Sequence, residues 1–557
     1  MAAVAMLMSL LPAVEAPAPK TAAAATATKP ETIAELKPEP KAESKAEIKA
    51  NARKEIDKFF ASNGPIPTLS FNFSKPEEWE YLKKENRRYA ECEMTDVEFP
   101  EKIWRGVAVK LKGSAGSFRG PEDKPGLSVS MEKYKKGEPW RSIGKFHLNN
   151  GAQDNSYLNE QIAGEMARMA GVPASRCTHA FVSFHGKDFG IYVVKEGFEP
   201  DFLAHFFKKT DGDLYDGGFC HEIDTNMEKD HGDPADRAAI KQLMQACGEG
   251  DVKKRWEKLD QILDVDAFLS FMAMESILCH WDGYNFNRNN YRLYLNADSG
   301  KFVFFLHGMD QMFGDVNAPV IRDSGSMVGN AVFSNPLWKA AYRDRVEKIY
   351  TDVLTAVDWP SRVVEEGKKV QAALAAKNPQ LGKDYQGQIN SARDRVAQRI
   401  AMVGKQLAMA PKPPVFDAGG VMKLTKGWMG VDGGGGNSRT DEVQIDGKRT
   451  FHIIAENSSA MSWRTTIQLL PGKYRFEALA KCKGVIATND AKGRGTDLRV
   501  SGNQTKAEQF LEGDSDWKPV SITFESSGGD AILVAELRAA KGEAWFQAES
   551  LQLVKLK

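Results

Sequence analysis

The chain has 557 residues, 42% hydrophobic and 27% charged, enough for two or three domains with cores of their own. Its 75 basic and 75 acidic side chains cancel, which excludes a global field that would draw the protein to nucleic acid or to an anionic membrane. Six scattered cysteines form no C-x-x-C pair, which argues against a zinc ribbon or a thioredoxin-type site.

Met1–Ala16 carries a short apolar run ending in small residues, as in the hydrophobic and cleavage regions of a signal segment, but it lacks a basic start. It predicts export. No stretch of the roughly 20 apolar residues needed for a membrane span is present. Residues 17–63 are rich in Ala, Lys, Pro and Glu and read as a disordered tether, with alternating charge near Lys41–Lys58 able to support one solvent-exposed helix. Globular character starts at Gly64 and runs to Ala410. Ile66–Ser74 and Val107–Lys112 read as strands, Pro76–Lys84 as a short helix and Leu127–Met131 as a strand. Between the last two strands lies the Gly/Ser-rich loop Gly113–Gly120, which can turn backbone N–H groups toward phosphates although it is not a Walker A motif. Leu158, Ile162, Met166 and Met169 recur at helical spacing over 154–170. Residues 236–250 and 265–281 read as helices, the second apolar on nearly all faces and therefore buried.

That buried helix delivers His280-Trp281-Asp282 to a loop. Asparagines follow at Asn285, Asn287, Asn289 and Asn290. Next come a strand (Tyr291–Leu295), a turn (Asn296–Gly300), a strand (Lys301–Leu306) and then Asp310 before Phe313-Gly314. Phosphoryl transfer on a kinase-like scaffold needs such a set: one Asp to orient the nucleophile, an Asn to help hold metal and a second Asp for the metal on the phosphates. Asp282 and Asn287 have the spacing of the protein-kinase H-R-D-x-x-x-x-N motif, with Trp281 in place of Arg. Turn chemistry alone also favours Asp and Asn at such positions. Beyond 410, helical spacing gives way at a Pro-rich linker (411–418). Short alternating strands separated by Gly, Asn and Asp turns then predict an all-β sandwich over 419–557.

The segment Asp282, Asn289-Asn290-Tyr291-Arg292-Leu293-Tyr294, Asp310 and Phe313-Gly314 resembles the spore-coat-protein-H (CotH) kinase family. The similarity extends through Val107–Met131, Phe146–Phe207, Gly212–Gly218 and Asn335–Tyr350, roughly Pro65 to Ala410. It implies an α+β, divergent protein-kinase-like two-lobe domain, ATP with Mg²⁺ or Mn²⁺, and transfer to Ser or Thr of secreted or surface proteins. Carried onto this chain, it makes Asp282 the catalytic residue and Lys124 the phosphate lysine, with Lys110 and Lys112 as alternatives. Glu160 or Glu165 becomes the lysine's helical partner, and Glu196 the residue at a hinge. Asp310 becomes a metal ligand, joined by Asn290 or Asn287. One departure is Gly308, where the family often has an acid; His307 stands beside it as a substitute ligand or a packed residue. Leu469–Cys482 and Trp517–Ser526 resemble jelly-roll carbohydrate-binding modules. That implies polysaccharide contact through Trp428, Trp463, Trp517 or Trp545, unless these fill the core, and Glu549 and Asp432 are weaker candidates for calcium. The alternatives to a protein kinase are a pseudokinase scaffold that binds polysaccharide in an extracellular layer and a carbohydrate-directed kinase.

Overall fold

The computed structural model describes residues 44–84, 87–134, 138–409, 414–431, 438–457, 459–488, 493–503, 505, 507 and 509–556. The possible signal segment (1–16), most of the expected tether, residues 411–413 of the linker and Asp432 lie outside them. The tether expectation does not hold at its C-terminal end. Lys45–Phe60 is a helix, α1, and its Ile56, Phe59 and Phe60 are buried in the core of the first sheet. Spacing of four residues between Ile56 and Phe60 puts both on one face. Gly64 closes the turn that follows: a Cβ there would lie 2.3 Å from the Phe59 carbonyl oxygen.

Seven strands close into a barrel: β1 (Thr68–Asn72), β2 (Ala90–Asp96), β3 (Ile103–Lys112), β4 (Gly126–Ser130), β5 (Lys145–Asn149), β6 (Cys177–Phe184) and β7 (Lys187–Glu196). Their order is β1-β2-β3-β4-β5-β7-β6, sealed by the parallel pairing of β6 with β1. Closure leaves no sheet edge to template aggregation. Helix α2 (Pro76–Lys84) follows β1, and α3 (Asn159–Met169) lies between β5 and β6. Asp154 organises the entry to α3, its carboxylate accepting from the Ser156 and Asn159 amides at 3.0 and 2.9 Å. Leu158, Ile162 and Met166 then bury into a second core.

That second core is mostly helical. After the short α4 (Pro200–Leu203) come β8 (Leu214–Asp216), β9 (Lys229–His231), α5 (Ala238–Cys247), α6 (Val252–Ile262), α7 (Val265–Ile277), α8 (Tyr284–Asn287), β10 (Tyr291–Asn296), β11 (Lys301–Leu306), α9 (Met327–Phe333), α10 (Pro336–Ile349), α11 (Trp359–Lys377) and α12 (Pro379–Met409). The four strands order β11-β10-β8-β9. Helix α7 is buried on nearly every side, as its uniformly apolar sequence predicts. Arg399 of α12 donates to the carbonyls of Ser276 and Ile277 at 2.7 and 2.8 Å, capping the end of α7 with positive charge where the helix dipole favours it.

The C-terminal part is β-sandwich-like, with β12 (Val421–Lys423), β13 (Met429–Val431), β14 (Arg439–Ile445), β15 (Lys448–Ala455), β16 (Ser459–Leu469), β17 (Gly472–Ala487), β18 (Gly495–Val500), β19 (Gly513–Ser526), β20 (Gly529–Gln547) and β21 (Gln552–Lys555). The long β20 pairs with β16 and β18 through its first half and with β15 and β17 through its second. At Gly542 its φ is +133° and a Cβ would meet the Val485 Cα at 2.6 Å. Only glycine accepts that conformation and that approach. Among the described residues, no helix is long and apolar enough to cross a membrane.

Candidate active site

A cleft of about 600 Å³ is lined from the barrel side by Lys112, the Gly113–Ser117 turn, Asn149 and Lys195. Asp282, its asparagines and Asp310 line it from the helical side, and Glu160 of α3 reaches in between. Strand ends carry Lys112 and Lys195 and a helix carries Glu160, which holds them more rigidly than loops would, whereas Asp282 and Asp310 sit on turns.

Lys195 Nζ pairs with Glu160 Oε1 at 2.7 Å, and both side chains are at most 2% exposed. Lys112 donates to Asn149 Oδ1, and Asn149 Nδ2 in turn donates to Glu160. Burial lowers the Lys112 ammonium to about 8. Burial also works against ionisation of Glu160, but Lys195 and Lys112 outweigh it and hold that carboxyl below its usual range. Asp310 is pushed up to about 7, first by burial and then by the charge of Glu160. A carboxylate so placed gains from any cation brought beside it.

Asp282 is held by three amides. Asn287 Nδ2 donates to Oδ1, while Asn289 and Asn290 Nδ2 donate to Oδ2 at 2.9 and 3.0 Å. A carboxylate has about four acceptor positions. Three are filled here, which leaves one on Oδ1. The side-chain oxygens of Asn287 and Asn290 accept no hydrogen bond from the described residues, whereas Asn289 Oδ1 accepts from the Cys220 amide at 3.3 Å. His280 Nε2 donates to the His307 carbonyl at 2.9 Å and so ties the turn before Asp282 to the end of β11. Burial takes the His280 ring down to about 4 and His307 well below its ordinary value, so both are neutral.

Gly308 has φ +59°, and a Cβ on it would lie 2.3 Å from Asn290 Oδ1. An acid cannot stand at 308 while Asn290 keeps this position. The missing acid is thus tied sterically to the Asn290–Asp282 contact.

The predicted set is only partly assembled. Asp282, Asn287, Asn290, Asp310 and Glu160 come together in the cleft, as does Lys112. Lys124 does not line it: its Nζ donates to Tyr157 Oη at 2.8 Å and sits over the rings of Tyr157 and Tyr192. Its backbone at φ +41° directs the side chain into that aromatic packing. Glu196 is also placed elsewhere, gripped by Arg176 at 2.6 and 2.9 Å, and Glu165 pairs with Arg362. Sequence reasoning missed Lys195 and Asn149. A lysine closing the apolar run Ile191–Val194 of a buried strand was the available signal for Lys195.

In the sandwich, Trp463 stacks on Phe451 with centroids 4.5 Å apart and Trp428 lies over Phe476, both within the core. Those two are packing residues. Trp517 and Trp545 are half-buried, and Trp545 stacks on His452 at 4.8 Å and 3°. Among the described residues, no group of three or more His, Cys, Asp or Glu side chains could hold a metal ion by itself.

Two invasins of Rhizopus delemar, CotH7 and CotH2, are each 23% identical, over 224 and 199 residues, which is 35% and 32% of this chain. The chain spans about a third of the length of these curated relatives, 37% and 34%. Two solved carbohydrate-binding modules align with about a quarter of the chain. One is TmCBM61 in complex with β-1,4-galactotriose (13% identity, TM-score 0.18, covering 24% of this chain and 90% of that one). The other is the family 11 module of the Clostridium thermocellum cellulase Lic26A-Cel5E (16% identity, TM-score 0.16, covering 25% and 97%). The model of the CotH kinase protein family matches residues 110–402, more than half of the 557, and the chain belongs to that family.

Proposed function

We propose that this protein is an exported, ATP-dependent protein kinase of the CotH type. It transfers the γ-phosphoryl group to Ser or Thr hydroxyls of secreted or surface proteins. The observation that carries this reading is the single cleft in which the Asn-clamped Asp282 faces the Lys195–Glu160 pair and Asp310. The barrel and the helical region act as the two lobes of a divergent kinase-like domain.

Lys195, held by Glu160, and Lys112 neutralise phosphate charge; this role belongs to them rather than to Lys124. Magnesium or manganese, when bound with ATP, offsets charge on the phosphates during transfer. Asp310 and the free side-chain oxygen of Asn290 or Asn287 are hard donors suited to such a cation, which takes the rest of its ligands from phosphates and water. The vacant acceptor position on Asp282 Oδ1 receives the acceptor's O–H and orients its oxygen for in-line attack. The new O–P bond forms as the bridging P–O bond to ADP breaks, and the hydroxyl proton passes to Asp282. Labelled ATP with Mg²⁺ or Mn²⁺ tests the reading. Wild-type protein should label itself or an acceptor, and Asp282→Ala and Asp310→Ala should each lose about 1,000-fold. Equal labelling in all three proteins would refute it.

A second reading is a pseudokinase scaffold in an extracellular layer, supported by Gly308 where an acid is usual. It predicts no Mg²⁺-dependent stabilisation by ATP in a melting assay. In either reading the sandwich contacts polysaccharide, with Trp545 and Trp517 the tryptophans left available outside the core.

A further inference from the structure

Glu275 of α7 is fully buried, and no ion pair partners it among the described residues. Its carboxylate takes three hydrogen bonds, all from the loop that carries Asp282. The Tyr284 amide donates to Oε1 at 2.7 Å, and the Asn285 amide and side-chain Nδ2 donate to Oε2 at 3.1 and 2.7 Å. A Cβ on Gly283 would lie 2.3 Å from Oε1, so the carboxylate presses directly on the residue after Asp282. The far sides of the same residues are also held. Tyr284 Oη donates to Glu222 at 2.7 Å, Asn285 Oδ1 accepts from Ser324 and Ser326 at 3.0 and 3.2 Å, and the Gly283 amide bonds the His280 carbonyl at 3.0 Å.

We propose that Glu275 is the positioning residue for Asp282: as a carboxylate it locks the Gly283–Asn285 turn and so sets the direction of the Asp282 side chain in the cleft. The chemistry favours the ionised form. Every partner is a donor, so an amide would set N–H against N–H, and a protonated acid would lose the charge that strengthens all three bonds. The charged and titratable groups facing Glu275 are Arg322 and Tyr342, and Arg322 favours the carboxylate. Burial nevertheless brings its carboxyl up to about 7, so the lock loosens as the medium becomes acidic.

The inference rests on the kinase reading for its rate prediction and stands apart from it for its structural one. The experiment compares full-length wild type, Glu275→Gln and Asn285→Ala by hydrogen exchange and by phosphotransfer across pH. Glu275→Gln, nearly isosteric, should raise exchange in the peptide spanning 283–290 while peptides from the barrel stay unchanged. Its kcat should drop on the order of 100-fold with little change in KM for ATP, as for a misaligned catalytic group. Wild-type protection of that peptide should fall below pH about 7, and the variant's, already low, should not change. Wild-type exchange and wild-type kcat in Glu275→Gln would overturn the proposal. Should Glu275→Gln fail to fold, Asn285→Ala, which removes one of the three donors, must show the local exchange increase, and its absence overturns the proposal equally. Loss of phosphotransfer in the wild type would sink the kinase reading and leave the exchange result to decide on Glu275.

Discussion

Two regions of this molecule set two acids beside two bases, and they use the arrangement differently. In the cleft the four are Glu160, Asp310, Lys112 and Lys195, brought from four separate segments. In the sandwich they are Asp497, Glu536, Arg499 and Arg538, from the adjacent strands β18 and β20, where Asp497 lies directly opposite Glu536. There Glu536 takes Arg538 Nε at 2.6 Å and Arg499 Nε at 3.2 Å, the pairing of neighbours on one sheet face. The cleft group instead borders an open cavity; among the described residues the Asp310 carboxylate has its own amide as donor and two asparagine oxygens have none. Both regions raise one carboxyl by burial, Asp310 to about 7 and Asp497 to about 8. A perturbed acid therefore does not identify a site by itself. What separates the two is the acceptor capacity left facing a cavity.

The sharpest way to break the comparison is to remove the central acid of each group. Glu160→Ala takes the ion-pair partner from buried Lys195 and Glu536→Ala takes one from Arg499 and Arg538, and each should cost about 3–5 kcal/mol in its own region by chemical denaturation. Only Glu160→Ala should also abolish stabilisation by Mg²⁺-ATP. Loss of nucleotide binding in Glu536→Ala would mean that the two regions are coupled.

A smaller effect is expected from Gly308→Ala. The left-handed backbone costs about 1–2 kcal/mol for a non-glycine residue, and the new methyl must displace the Asn290 amide. Phosphotransfer should fall further than stability, read as kcat against melting temperature. A variant with unchanged kcat would show that Asn290 need not hold Asp282.

A last prediction concerns pH. Asp497 keeps its proton to about 8 in the folded protein, far above the ordinary carboxylate value of 3.8. Between those values the folded state binds more protons than the unfolded, so stability falls as pH rises and levels off above about 8. Asp497→Asn should flatten that part of the melting-temperature profile of the sandwich. An unchanged slope would remove Asp497 as its source.

Much of the site was legible because it is local. Asp282, its asparagines and Asp310 lie within one short stretch, and strand-turn-strand periodicity from Tyr291 to Leu306 places them in order. The lysine was not legible. Lys110, Lys112 and Lys124 all flank the Gly/Ser loop, and order along the chain does not tell which ammonium enters the cleft. The backbone at 124 and the rings of Tyr157 and Tyr192 decided against Lys124, and closure of the barrel brought Lys195 to Glu160 across 35 residues. The tryptophans behaved alike: alternation located them on strands, and packing between the two layers assigned Trp428 and Trp463 to the core.

By itself the amino-acid sequence determined the family, the helix-to-strand order, the buried α7 and the Asp282–Asp310 segment, because these depend on periodicity and on residue types close together in the chain. The tertiary structure alone decided the Lys195–Glu160 pair, the carboxylate clamp on the turn after Asp282 and the reason residue 308 is glycine. Each of these is a contact between groups distant in the chain or a clash at a few ångströms, and neither composition nor spacing encodes such a distance.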